Sequence, residues 1–344
     1  MLSVQVNLHT IMKNVLLIKK QLKAGTKLCA VVKDNAYGLG IKRISKLLAP
    51  VVDCFAVATT DEGIALREMG IKQDILIFGI CENISEAIKN NLIITIETPE
   101  QVCNLLKKNL HPRIHIAVNT GMNRFGITSV HKLRKTLHLL KHECVEGFYT
   151  HLAYENDNIK CVQQALQHFK KLTNICRKYF PRILIHAGCS GVMTYQPAHL
   201  NMMRIGKALY GGIKGTETAL TVTSKIISIK KVKTGATVGY NGTYIATKTS
   251  VIGIVPGGYA NGIPTQFGNN AKVLIGKEYC PIVGRVCMDY CFVDVTHIKK
   301  PLGKKVIFLA PSKNQRLIDL AKQAKMITCD LLLGLSKSKI ETIN

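Results

Sequence analysis

The sequence predicts an α/β protein with two domains: an N-terminal (β/α)8, TIM-like barrel in residues 1–218 and a C-terminal, mostly-β domain in residues 219–344. Short apolar runs alternate with helix-like segments through the first part of the chain. From about residue 219, closely spaced strands and Gly, Pro and Asn turns replace that alternation. In addition, 344 residues exceed the size of about 250–300 residues at which a single core stops growing.

The predicted barrel strands are short runs, most of them rich in β-branched residues. There are eight: Leu28–Val32, Phe55–Ala58, Ile75–Phe78, Leu92–Ile96, Ile114–Val118, Val145–Thr150, Ile183–His186 and Met202–Ile205. Helical patterns occupy residues 10–23, 41–48, 60–69, 100–108, 129–140 and 159–179. Alternation of this kind is typical of parallel strands with crossover helices. Only the count of eight favours a closed barrel over an open, doubly wound sheet.

The second domain has the pattern of an antiparallel β structure. Its predicted strands are Val222–Lys230, Thr249–Val255, Lys272–Ile275, Ile282–Val286, Cys291–Val295 and Lys305–Leu309. One helix is convincing, near Gln315–Ala324. No repeat or long linker separates the two predicted domains.

The charge is strongly basic, with 47 Lys and Arg against 21 Asp and Glu, a formal net charge of +26. Only 10 of these cations are Arg, and the lysines are scattered in pairs such as Lys107-Lys108. Specific nucleic-acid binding needs Arg forks or exposed rings, whereas this chain has 6% aromatic residues and no Trp. We therefore expect a solvated, Lys-rich surface and no specific nucleic-acid partner.

The cysteines and the apolar runs bear on metal binding and on compartment. All 12 Cys are dispersed, with no CxxC pair and no zinc-type spacing to His, so no metal site is predicted. The first residues show no signal-peptide pattern, and no apolar run reaches the ~18 residues of a membrane span. We expect a soluble, cytoplasmic protein with free thiols and no membrane association.

Polar residues that could take part in catalysis or binding lie at the ends of the predicted barrel strands, at the rim where barrels place their active sites. Lys33 follows Val31-Val32 and precedes a Gly-rich turn, and desolvation at such a place favours the neutral, nucleophilic form of an amine. The other strand-end residues are Arg124, His151, Ser190, Arg204 and the Gly206-Lys207 turn. That turn follows strand eight, where barrels often bind a phosphate.

Each of these residues also has a structural explanation on its own. A strand-end lysine can extend its charge to solvent, an Arg can be ion-paired, a His can be hydrogen-bonded in the core, and Ser190 can cap a helix. Together, at one rim, they indicate a phosphorylated cofactor beside a reactive amine.

Several motifs, in order across the whole chain, resemble those of the alanine racemases, fold-type III enzymes that use pyridoxal 5'-phosphate. The segment most similar to the family is Ala30–Gly40, which resembles its cofactor-lysine motif. The other matching segments are Thr120–Gly126, Tyr149–Ala153, Arg204–Gly211, Val238–Tyr244, Pro256–Gly262 and Val283–Asp289.

The resemblance implies specific roles for residues of this chain. Lys33 would bond the cofactor and serve as one catalytic base, and Tyr240, in the β domain, as the other. The implied cofactor-binding residues are Tyr37, Ser190, Gly206 and Lys207 at the phosphate, Arg204 at the pyridine nitrogen, and Arg124 and His151. Arg124, Tyr259 and Met288 would contact the substrate. Tyr240 would reach the barrel of a second subunit, which implies a homodimer with composite active sites.

Four features depart from the family pattern. Cys189 and Asn119 replace a usual Asn and Asp, and Ala117 stands where many members carry a carbamylated lysine that supports the strand-five arginine. The C-terminal segment, Leu335–Lys339, lacks the family's late tyrosine and its basic ending.

The implied function is racemisation of alanine, supplying D-alanine for peptidoglycan. A serine or broad-specificity racemase is the alternative, because the departures fall among phosphate and substrate contacts. A non-catalytic pyridoxal-phosphate carrier is disfavoured by residues 219–344 and Tyr240, and a decarboxylase of the same fold type is a further alternative.

Overall fold

A computed structural model describes residues 1–343 of the chain. They form two compact units, each of which is described separately. The first comprises Val15–Ala36 and Gly40–Gly206, and the second comprises Met1–Asn14, Tyr37–Leu39 and the chain from Lys207 onward. The second unit begins with a strand, Ser3–Asn7 (β1), that the sequence did not predict.

The first unit is built on an eight-stranded parallel sheet. Its strands are Lys27–Val31 (β2), Cys54–Val57 (β3), Asp74–Ile77 (β4), Ile93–Ile96 (β5), Arg113–Ala117 (β6), Val145–Tyr149 (β7), Leu184–His186 (β8) and Met202–Ile205 (β9). They lie in the order β8-β7-β6-β5-β4-β3-β2-β9, and an isolated bridge between Cys189 and Arg204 links the two ends. The sheet is therefore a near-closed barrel, and the predicted fold class is confirmed.

Helices follow most of the barrel strands and pack apolar faces against them. They are Leu8–Gln21, Ile41–Leu48, Thr60–Glu68, Ile84–Lys89, Pro99–Lys107, Val130–Leu139 and Ile159–Cys176. Thr59, Asn83, Thr98 and Ser129 cap four of them by accepting a backbone N–H of the first turn. The sequence did not predict Ile84–Lys89, which is too short to show a helical period.

The second unit contains a nine-stranded sheet that includes β1. The remaining strands of this unit are Leu220–Lys225 (β10), Ser228–Val232 (β11), Thr237–Val238 (β12), Tyr244–Ile245 (β13), Ser250–Pro256 (β14), Lys272–Ile275 (β15), Glu278–Val283 (β16), Tyr290–Asp294 (β17), Lys305–Leu309 (β18) and Ile340–Ile343 (β19). The sheet order is β11-β14-β17-β16-β15-β18-β10-β1-β19, and β12 and β13 form a separate pair.

Three sequence-based predictions for this unit were wrong. The predicted strand Ile282–Val286 shares only Ile282 and Val283 with the observed strand Glu278–Val283. Val222–Lys230 is not one strand, because the chain changes partners in its middle: Ile226 donates its N–H to Lys304 O, and Ile227 donates to Ile254 O. The unit also contains two helices of at least a full turn rather than one, Leu317–Gln323 and Thr328–Leu335. The second escapes the periodicity rule because its consecutive leucines show neither a helical nor a strand period.

The structure also reports on thiols and membrane segments. All 12 cysteines are free, and six of them are buried. Within residues 1–343, no helix combines the length and the apolar character needed to cross a bilayer. The same residues contain no group of three His, Cys, Asp or Glu side chains placed to hold a metal ion.

Candidate functional site

Lys33 begins an unusual turn at the carboxyl end of β2. The four residues after it, Asp34–Tyr37, have φ values of 53, 54, 56 and 57°, which is the left-handed helical region. Such a backbone costs roughly 1–2 kcal/mol per non-Gly residue, so the surroundings must hold it. The Glu62 carboxylate does so by accepting the N–H groups of Asn35 (3.2 Å) and Ala58 (2.9 Å).

The Lys33 side chain is partly buried, with 40% of its surface exposed. Its Nζ lies 3.3 Å from the Asp34 carboxylate. Because β2 precedes Lys33 and the left-handed turn follows it, the amine is held at the barrel mouth while remaining accessible to a ligand.

Arg204, on β9, is buried in the barrel, and its guanidinium is fixed by three contacts. Nη1 lies 2.6 Å from His186 Nδ1, and Nη2 donates to the carbonyl oxygens of Thr150 (2.8 Å) and Ala187 (3.1 Å). A guanidinium only donates, so His186 Nδ1 must accept, and the proton of that ring lies on Nε2. Nε2 then donates to His115 Nδ1 at 3.1 Å.

His151 follows β7, and its pKa responds to the positive charges of the barrel mouth. Burial, and then the positive charges of Arg204, Arg124 and Lys33, lower the pKa of His151 to about 3. His151 is therefore neutral near pH 7. The charges of three residues predicted from separate strand ends therefore all act on His151.

Ser190 and Gly206 also meet at this rim. The buried Ser190 hydroxyl accepts the Gly206 N–H at 3.0 Å, and Ser190 opens a short 3₁₀ turn that ends at Val192. The prediction from the sequence that these two residues share a site is consistent with this contact.

Tyr37 and Lys207 belong to the second unit. The Tyr37 ring packs against that of Tyr210, with 5.5 Å between centroids. Lys207 opens a 3₁₀ turn that ends at Tyr210, and its carbonyl accepts the Gly212 N–H at 2.9 Å.

Tyr240, Tyr259 and Met288 also belong to the second unit, and all three are exposed, by 66%, 41% and 54%. Tyr259 and Met288 lie on adjacent segments, because the Ala260 N–H donates to Met288 O at 3.0 Å. Gly258 permits this approach: a Cβ there would lie 2.2 Å from the Met288 carbonyl oxygen. The structure does not bring Tyr240 into contact with these two residues.

Two residues of the mouth were missed as site residues in the sequence. His186 ends β8 and fixes Arg204, and Glu97 follows β5 directly and is buried. Both obey the strand-end rule that pointed to the others, and applying it to every strand would have found them.

Comparison with models of known protein families identifies the family of this chain. The model described as alanine racemase, N-terminal domain, matches residues 6–214, and the one described as alanine racemase, C-terminal domain, matches residues 219–343. The chain belongs to the alanine racemase family. The resemblance inferred from its motifs is confirmed.

Individual alanine racemases are similar over nearly the whole chain. Alanine racemase from Streptococcus pyogenes is 35% identical over 96% of this chain and 95% of its own. Alanine racemase 1 from Caldanaerobacter subterraneus is 32% identical over 91% of this chain and 86% of its own.

Solved structures of alanine racemases share the fold. Biosynthetic alanine racemase from Pseudomonas aeruginosa aligns with a TM-score of 0.90 at 26% identity, covering 100% of this chain and 99% of its own. The alanine racemase from Bacillus anthracis, with bound L-Ala-P, gives 0.86 at 28% identity over 100% and 95%.

The departures from the alanine racemase pattern have definite places in the structure. Asn119 accepts the N–H groups of Gly121 (2.8 Å) and Asn123 (3.2 Å), as the oxygen of an Asp can, so it still shapes the loop that bears Arg124. Ala117 is buried at the end of β6 and brings no charge to that loop.

Proposed function

We propose that this chain is an alanine racemase that interconverts L-alanine and D-alanine with pyridoxal 5'-phosphate and supplies D-alanine for peptidoglycan. The observation that carries the proposal is the cluster at the barrel mouth. The positive charges of Lys33, Arg124 and Arg204 act on His151 and help to keep it neutral. An accessible amine within a cationic mouth suits an anionic cofactor with a carbonyl group.

The residues present fit that cofactor. Lys33 would bond it through Nζ, and the Ser190 hydroxyl, Tyr37 and the backbone of Gly206 and Lys207 would bind its phosphate. The guanidinium of Arg204 would face the pyridine nitrogen through Nε, because both of its Nη atoms already contact protein groups. When bound, pyridoxal phosphate supplies an electron-accepting ring that makes the α-proton of an amino acid removable.

Racemisation needs a proton removed from one face of the α-carbon and another delivered to the opposite face. Lys33 Nζ and Tyr240 Oη are the two groups that we assign to these steps, and they exchange roles when the direction reverses. Arg204 stays protonated throughout, because a guanidinium does not give up its proton in a protein. Arg124, Tyr259 and Met288 hold the substrate.

The assembly is a homodimer with composite sites, in which Lys33 of one protomer faces the partner subunit's Tyr240. The exposure of Tyr240, Tyr259 and Met288 on the single chain supports this arrangement. Tyr259 and Met288 lie on adjacent segments, and large exposed side chains that lie together favour an interface.

The test is a pair of substitutions, Lys33→Ala and Tyr240→Phe, assayed separately from L-alanine and from D-alanine. Each should lower kcat by about 10²- to 10⁴-fold in both directions, because each direction uses both bases. Lys33→Ala should also remove the visible absorbance of the bound cofactor. Tyr290→Phe, at another exposed tyrosine of the same unit, is the matched control and should remain active.

Two results would contradict the proposal. If Tyr240→Phe racemises alanine normally in both directions, the two-base assignment is wrong. If the wild-type protein racemises L-serine faster than L-alanine, the substrate assignment is wrong.

A further inference from the structure

The barrel mouth contains a buried carboxylate to which the sequence analysis gave no role. Glu97 follows β5 directly and is only 8% exposed. Its Oε1 atom is buried and has no hydrogen-bond partner among the described residues. A carboxylate in such a place needs a nearby positive charge to offset the loss of hydration.

The register of the sheet places Glu97 beside Ala117. Ile96 pairs with Ile116, so the next residues, Glu97 and Ala117, follow on neighbouring strands. Thr95 shares the strand face of Glu97, and its hydroxyl lies 3.1 Å from the Tyr149 hydroxyl on β7. Glu97 therefore lies on the inner side of the mouth, next to a methyl group that leaves room for its carboxylate.

The loop that carries Arg124 folds back over the same place. Asn119 donates its N–H to Ile127 O (3.0 Å), and Ile127 donates to Ala117 O (2.9 Å), which closes the loop at its base. Gly126 is required there, because its φ is 99° and a Cβ would lie 2.6 Å from the carbonyl carbon of Val118. At this close approach the Gly126 N–H lowers the pKa of the Glu97 carboxyl group.

Charge interactions agree with this geometry. Burial raises the pKa of Glu97 above its ordinary value, and the Gly126 N–H and the positive charge of Arg124 offset only part of that rise. Of the titratable groups on β7, Glu146 lies at the amino end of the strand, whereas Tyr149 lies at the carboxyl end, where burial raises its pKa to about 12. Glu97 adds to that shift, and Arg204 and Arg124 oppose it. Glu97 and Arg124 therefore act on each other and on the same neighbour.

We propose that Glu97 is the positioning residue for Arg124, and that its negative charge holds the guanidinium toward the substrate position. Arg124 is exposed and its guanidinium carbon lies 5.7 Å from the centroid of the Phe125 ring, so a fixed anion nearby would bias which rotamer it takes. Ala117 cannot supply that anion, and the buried Glu97 can. This inference rests on the proposed function, because it assigns Arg124 to the substrate.

A first test needs no racemase activity. The carboxyl carbons of glutamate are labelled with ¹³C in the full-length protein as purified, and Glu97 is titrated by NMR. Replacing Arg124 by Gln should raise the pKa of Glu97 by about one unit, because a nearby cation has been removed. An unchanged pKa would overturn the proposal.

A second test separates the charge of Glu97 from its shape. Glu97→Gln keeps an oxygen that can accept the Gly126 N–H but removes the charge. We expect KM for L-alanine to rise about tenfold with a smaller change in kcat, because a misplaced Arg124 weakens substrate binding. Glu97→Asp, which keeps the charge, should recover part of the affinity.

Glu100→Gln is the matched control, since Glu100 lies three residues along on the exposed first turn of Pro99–Lys107. It should leave KM unchanged. If Glu97→Gln leaves KM unchanged, or if Glu100→Gln raises it equally, Glu97 does not position Arg124. A wild-type protein without racemase activity would instead refute the proposed function, and the NMR result would still decide whether Glu97 and Arg124 interact.

Discussion

His151 is a neutral imidazole on which several positive charges act, and keeping it neutral lowers the stability of the folded protein in acid. In the unfolded chain a histidine takes up a proton near pH 6.5, whereas the pKa of His151 in the folded protein is about 3. Below pH 6.5 the unfolded state therefore binds more protons than the folded state. Stability must fall as the pH falls from 6.5 toward 3.

We predict that His151→Gln removes part of this acid sensitivity. The contribution of His151 to the loss of unfolding free energy is about 2 kcal/mol at pH 5. The measurement is the free energy of unfolding from urea titrations between pH 7 and pH 5. His168→Gln, on the exposed side of Ile159–Cys176, serves as the control. Equal slopes for wild type and His151→Gln would show that His151 is not held neutral.

For individual residues, the sequence predicted which ones belong to the site better than it predicted which groups they contact. Lys33, Arg124, His151 and Arg204 were found because each lies at or beyond the carboxyl end of a barrel strand, and the charges of the other three act on His151. The Arg204–His186–His115 chain was not foreseen, because it depends on the directions of side chains inside the barrel. Glu97 was overlooked because it belongs to none of the motifs.

At the level of secondary-structure elements, one guanidinium group links three barrel strands near their amino ends through hydrogen bonds. Arg113 on β6 contacts Asp74 on β4 at 2.7 Å and Glu146 on β7 through two nitrogens at 2.7 Å. These carboxylates raise the pKa of Arg113. The cluster lies at the opposite end of the strands from Lys33, the end that contributes to stability in this fold.

We predict that Arg113→Met lowers the free energy of unfolding by about 1–3 kcal/mol, because two neighbouring carboxylates lose their shared cation. Racemase kcat should not change. Arg134→Met, at an exposed arginine of Val130–Leu139, is the control for loss of a positive charge. A fall in kcat without a fall in stability would contradict this separation of roles. Urea titration and steady-state rates measure the two quantities.

The barrel strands were predictable to within about one residue, since the cores of parallel strands are short and almost continuously apolar. The strands of the second unit were harder. Ser3–Asn7 pairs with residues 220–223 and 340–343, and no local pattern signals such distant partners. The change of strand partner at Ile226 was also missed, because the sequence on both sides of that residue has the pattern of one continuous strand.

For the whole molecule, the proposed homodimer predicts an outcome of subunit mixing. Lys33→Ala and Tyr240→Phe should each be inactive alone, but a mixed dimer would have one site with both substitutions and one with neither. After refolding of an equal mixture, about a quarter of wild-type activity should return, because half of the dimers are mixed and each has one intact site. If both residues came from one chain, the mixture would stay inactive.

The left-handed turn after Lys33 limits how this chemistry can be moved to another protein. Four successive residues, Asp34–Tyr37, adopt a backbone that L-amino acids avoid, and the Glu62 carboxylate from another segment supports it. A designer who grafts only a lysine onto a different barrel would obtain a strand end that follows ordinary backbone rules and directs the amine elsewhere. The transferable unit is the whole turn with its supporting glutamate.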